Sequence, residues 1–138
     1  MSVLQKIWNF KQLPGCSMED AAQIITQPQD SFDAVTLPHT WYQNGNAYQG
    51  LVLYEQRFWV DFQPNQRVFI TFGAADRWCK VFVNGQFAGE HQGGYSAFTF
   101  EITNLCTNGE NNNGFNFLQN IRWLLSRILL SESDIEFV

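Results

Sequence analysis

YEQRFWVDF, residues 54–62, decides the fold class, because polar and apolar side chains alternate through it with a period of two. Tyr54, Phe58, Val60 and Phe62 fall on one face and Glu55, Arg57, Trp59 and Asp61 on the other, the pattern of a half-buried strand. Downstream, Pro64-Asn65 turns the chain, and Val68, Ile70 and Phe72 alternate with Arg67, Phe69 and Thr71. Residues 80–83 form a third extended run ending at Asn84-Gly85, a pair that tolerates positive φ at both centres of a type I′ hairpin turn. A return strand starts at Gln86 and Phe87, Gly93-Gly94 softens a corner, and Ser96, Phe98, Phe100 and Ile102 alternate with Ala97, Thr99 and Glu101. Several short strands separated by turn residues predict an all-β, antiparallel jelly-roll sandwich.

Upstream, Trp8 to Phe10 reads as an opening strand broken by Pro14-Gly15. Ser17 is placed to cap a short helix over Ala21, Ala22, Ile24 and Ile25, with Asp20 completing a capping box and Pro28 closing it. Residues 34–37 form a brief extended piece before Pro38. At the other end NGENNNG, residues 108–114, reads as a solvated turn cluster with nothing to bury. Beyond it Phe117, Ile121, Leu124 or Leu125, and Ile128 recur at helical spacing while Arg122 and Arg127 lie off the stripe. This predicts an amphipathic helix over residues 115–130. The expected organisation is a sandwich over residues 1–110 and a helical or irregular tail over residues 111–138.

The 138 residues suit one domain, with 13 Phe and 5 Trp available to fill a β core. A net charge of -5 with scattered Lys and Arg offers no basic stripe for phosphates, so nucleic acid is not an expected partner. No apolar run reaches the roughly 20 residues that span a bilayer, and the N-terminus lacks the apolar region of a secretory signal, so a membrane is not expected either. Cys16, Cys79 and Cys106 fit neither a disulfide framework nor a zinc cluster and read as free thiols. His39 and His91 have no ligand-spaced partner, so no metal and no cofactor are expected.

Five segments occur in an order and spacing that resemble the N-terminal sugar-binding-like domain of family 2 glycoside hydrolases, the β-galactosidase and β-glucuronidase group. They are WNF at Trp8, SFDAVTLPHTW at 31–41, the 54–62 strand, FGAADRWCKVFVNG at 72–85 and GEHQGGYSAFTFEIT at 89–103. The resemblance covers residues 8–110. It implies a galactose-binding-domain-like jelly roll without catalytic residues of its own, set beside a TIM barrel whose two glutamates hydrolyse a terminal β-linked sugar by a retaining mechanism. A barrel of that kind needs roughly 250 residues, more than this chain has. The implied partners are a β-galactoside or β-glucuronide and the glycosidase barrel. After residue 111 the family's usual continuation, with its GGIYRDV-like return strand, is not recognised. The tail then reads as a truncated or frame-shifted end, or as a variant in which a helix covers an open sheet edge and offers a face for homodimerisation.

Candidate carbohydrate contacts follow from chemistry. Trp41, Tyr42, Asn44 and Tyr48 combine aromatic faces for stacking on a pyranose with an amide for its hydroxyls; Trp41 reads equally well as a packing anchor. His91 and Tyr95 flank the paired glycines, where backbone can approach a ligand closely, or where they simply serve a strand corner. Glu55 and Glu90 are the first carboxylates to weigh for acid–base work, but no spacing sets them opposite each other.

Overall fold

A computed structural model describes residues 4–27, 32–37, 39–40, 50–73, 78–92, 97–121, 128–130 and 133–138. The strands in chain order are β1 (Ile7–Leu13), β2 (Asp33–Thr36), β3 (His39–Thr40), β4 (Gly50–Val60), β5 (Val68–Phe72), β6 (Trp78–Val83), β7 (Gln86–Gln92), β8 (Phe98–Glu101), β9 (Gly109–Ile121), β10 (Ile128–Leu130) and β11 (Ser133–Phe137). A 3₁₀ turn at Met18–Asp20 runs into a short helix α1 (Ala21–Ile24). Ser17 caps the turn by accepting a hydrogen bond from the Glu19 amide, while Asp20 makes no side-chain cap. Pro28, Pro38 and the Gly93-Gly94 corner lie outside the described residues.

Six strands in the order β2-β1-β4-β9-β6-β7 face three in the order β11-β5-β8, with β10 and β3 forming a separate pair. Every described ladder is antiparallel. The alternation read in residues 54–62 is present: Tyr54, Phe58 and Val60 are buried, whereas Arg57 and Trp59 are exposed. Val68, Ile70 and Phe72 likewise point inward from β5. At the β6–β7 hairpin Asn84 and Gly85 take φ of 50° and 81°, the two positive values a type I′ turn requires.

Two apolar clusters hold the layers. Between the sheets, Trp8, Phe10, Tyr54, Phe72, Phe115 and Phe117 interlock, with Phe58 stacked on Phe115 at 4.2 Å between centroids. On the outer face of the larger sheet, Met18, Ala21 and Ile24 lie over Leu51, Leu53 and Leu118. Each such side chain taken out of water contributes about 1.5–3 kcal/mol before entropy is counted.

The tail departs from expectation. Residues 115–121 are not helical: they are the second half of β9, paired with β4 on one side and β6 on the other, and β10 and β11 follow as strands. The cause is burial on both faces. Phe115 and Phe117 enter the main core and Leu118 enters the cluster beneath α1, so apolar residues appear on both sides of the strand and the period-two signal is blurred into something helix-like. Of the expected apolar stripe, Phe117 faces the core, while residues 122–127 and the side chains of Ile121 and Ile128 lie outside the described residues. The boundary expected after residue 110 falls inside β9.

The NGENNNG segment is also not a solvated turn, since residues 109–114 open β9 and Asn111 is only 1% exposed. Its carboxamide closes the preceding loop. Oδ1 accepts from the Thr107 amide at 2.9 Å and from Asn84 Nδ2 at 2.8 Å, and Nδ2 donates to the carbonyls of Thr107 and Gly109. At Gly114 the strand bulges with φ of 59°, and an added Cβ would run into the Gln56 carbonyl.

Candidate functional site

The ladders bring one set of strand ends together. Gly50 lies opposite Ile121, Trp78 opposite Asn120, and Trp78 again opposite Gln92, so β4, β9, β6 and β7 begin or end along one edge of the large sheet. Segments 41–49 and 93–96 join that edge in the sequence and contain Trp41, Tyr42, Asn44, Tyr48 and Tyr95. These five lie outside the described residues.

His91 is the candidate that the structure places. It pairs with Cys79 across the β6–β7 ladder, and its ring lies flat on Phe98 at 4.3 Å and 9°. Its carbonyl accepts from Cys79 Sγ at 3.7 Å, while Nδ1 is buried with no hydrogen-bond partner among the described residues. A half-buried imidazole held by stacking, with one nitrogen unassigned, is a hydrogen-bonding group in a fixed orientation. Sequence reasoning missed its buried neighbours: Cys79 sits between His91 and Gln119 in register, and Gln119 is fully buried. A polar residue on the inward side of a period-two strand was the available signal, hidden by the helical reading.

Cys79 is chemically quiet there, since burial pushes its thiol up to about 12, with the nearby Glu90 charge adding and the His91 carbonyl opposing. Cys106 is also buried and raised by burial, and Cys16 is exposed; all three are free.

The two carboxylates considered for acid–base work do not converge. Glu55 aligns through Asn116 and Phe82 with the β7 edge, whereas Glu90 aligns through Lys80 and Leu118 with Leu53. They share a face but stand three strands and two residues apart, roughly 16 Å by strand geometry. A glycosidase pair needs about 5–9.5 Å. Burial raises Glu55, opposed by Arg57 and by a hydrogen bond from Asn9. Glu90 is lowered, first by the hydrogen bond from Trp78 Nε1, with Gln92 and Lys80 assisting. Among the described residues no group of three or more His, Cys, Asp or Glu is placed to hold a metal, and no helix is long and apolar enough to cross a membrane.

Residues 16–135 match the family described as glycosyl hydrolases family 2, sugar binding domain. That match continues through β9 into β11. A β-glucuronidase of Bacteroides fragilis is 36% identical over 121 residues, covering 80% of this chain and 15% of the relative. A β-galactosidase of Thermoanaerobacter pseudethanolicus is 35% identical over 88 residues, or 59% of this chain and 12% of that protein. The chain thus spans about one seventh of the length of these relatives. The solved structure of a β-glucuronidase from an uncultured Clostridium species superposes with a TM-score of 0.71 over 95% of this chain and 25% of that one; at 21% identity the likeness shows the fold.

Proposed function

The chain belongs to the sugar-binding domain family of the family 2 glycosyl hydrolases, and on that premise we propose that it is the N-terminal, carbohydrate-handling module of a β-galactosidase- or β-glucuronidase-type hydrolase. One observation carries the reading: the family match spans residues 16–135, while the same sequence covers only 15% of a relative named as a β-glucuronidase. The proposed partner is a catalytic barrel, and the proposed parent reaction is hydrolysis of a terminal β-glycosidic bond. The module's own part is to hold and edge the sugar. Trp41, Tyr42 and Tyr48 offer ring faces, Asn44 an amide, and His91 and Tyr95 polar edges to the hydroxyls of a β-galactoside or β-glucuronide.

Support for this chemistry comes from His91, whose half-buried ring is fixed against Phe98 one residue from the end of β7. The test is a titration of the chain with methyl β-galactoside and methyl β-glucuronide, followed by chemical shifts of the His91 ring and of the Trp41 and Tyr95 amides. Saturable shifts there are expected with millimolar affinity, about 4 kcal/mol of binding. Silence of all three at about 10 mM of either sugar would remove direct sugar binding at this edge.

A further inference from the structure

Asn-Gly occurs four times in the chain, at 44–45, 84–85, 108–109 and 113–114. The pair has a chemistry of its own, because a glycine carries no side chain to keep its backbone nitrogen away from the preceding carboxamide. Two of these carboxamides are described, those of Asn84 and Asn108, and the fold engages them in opposite ways. Both following glycines, Gly85 and Gly109, have positive φ and open space where a side chain would stand, so the difference lies in the asparagines.

Asn84 is half-buried in the β6–β7 turn, and its Nδ2 donates twice, to the Leu105 carbonyl at 2.9 Å and to Asn111 Oδ1 at 2.8 Å. Asn108 is exposed in the bend just before β9, and there the oxygen is held by a donor. Its Oδ1 accepts from the Phe62 amide at 2.7 Å, while Nδ2 donates to the Phe62 carbonyl at 3.0 Å. An N–H aimed at a carbonyl oxygen stabilises the negative charge that gathers there when the carbonyl carbon is attacked. A nitrogen tied to two acceptors in a half-buried turn is, conversely, slow to leave, since both bonds must break first.

We propose that Asn108 is a self-modification site, at which the chain converts its own asparagine to aspartate and isoaspartate with water as the co-reactant. The Gly109 backbone nitrogen gives its proton to hydroxide and attacks Asn108 Cγ. The new N–Cγ bond closes a succinimide ring, the Cγ–Nδ2 bond breaks, and Nδ2 takes a proton from water and leaves as ammonia. Water then adds to either ring carbonyl and opens it, to aspartate or to isoaspartate, and nothing is oxidised or reduced. The product carboxylate still accepts from the Phe62 amide but has no hydrogen for the Phe62 carbonyl, so the tie between the chain leaving β4 and the start of β9 is weakened. This chemistry rests on no part of the sugar-handling reading and stands or falls separately.

The experiment holds the full chain at mildly alkaline pH, folded and in parallel in concentrated urea, and follows each Asn-Gly pair by peptide mapping that separates aspartate from isoaspartate. In the folded chain Asn108 is expected to convert at least about tenfold faster than Asn84, a smaller factor than the hundredfold or more of a dry oxyanion hole because Asn108 is exposed. In urea the two rates should converge. Asn108→Gln, whose longer side chain cannot close the same ring, should stop conversion at 108 and leave that at 84 unchanged. Asn108→Asp should shift the Phe62 amide resonance as ageing of the wild-type chain does. Equal rates at 84 and 108 in the folded chain overturn the proposal. A tenfold ratio that persists in urea also overturns it, because the local sequence and not the fold then sets the rate, as does conversion at 108 to aspartate without isoaspartate, which rules out the ring.

Discussion

Asn111 is almost wholly out of solvent, and its carboxamide ties Thr107 of the loop between β8 and β9 to the start of β9 at Gly109 and to Asn84 in the β6–β7 turn. Removing it strands the Thr107 amide, which has no other partner shown, along with two carbonyls that lose a donor. Asn111→Ala is therefore expected to cost about 2–4 kcal/mol in urea unfolding, well beyond a surface substitution. Glu101 is the second residue with a readable consequence. Hydrogen bonds from Arg67 and then Thr103 lower its carboxyl to about 2. A depressed folded-state value means that this carboxylate favours the folded state above the ordinary carboxylate range and ceases to do so as pH falls through about 2. Its carboxyl resonance should titrate near there, and Arg67→Ala should return it toward the ordinary value of 4.5. Exposure limits the effect on stability.

At the scale of elements, the hairpin and the strands with one solvent-facing side were legible in the sequence because their alternation survives. Tyr54, Phe58 and Val60 against Arg57 and Trp59 make the point, and so does Asn84-Gly85 with its two positive φ values. Strand β9 was not legible for the opposite reason: Phe115, Phe117 and Leu118 are all fully buried, on two sides, and its opening asparagines look like loop until Asn111 is seen to turn inward. The bulge at Gly114 is where that strand adapts to β4. Gly114→Ala forces a Cβ toward the Gln56 carbonyl at a φ of 59°, and a loss of about 2–4 kcal/mol is expected by thermal or urea unfolding. A change below about 0.5 kcal/mol would mean that the bulge is not formed as described.

For the whole molecule, the sequence conveyed the sandwich and the family but mislaid the centre of the larger sheet. The candidate sugar contacts were chosen from side-chain chemistry, and only His91 among them falls on described backbone, where stacking on Phe98 gives it a fixed orientation. The face that carries Glu55, Arg57 and Trp59 was visible as a polar side of a strand. That α1 would cover one half of it and leave the other open depended on packing between Ile24, Leu51 and Leu118, partners distant in sequence. Residues 109–121 join β4 to β6, so every strand of the larger sheet depends on them. Native-state hydrogen exchange measures that dependence directly. If β9 is the central strand, the amides of Phe115, Phe117 and Leu118 exchange only through global unfolding, as slowly as those of Val52 and Tyr54 in β4. Exchange of those β9 amides at the rate of a frayed terminus, while β4 stays protected, would contradict a sandwich built around β9 and return residues 111–138 to the status of a tail.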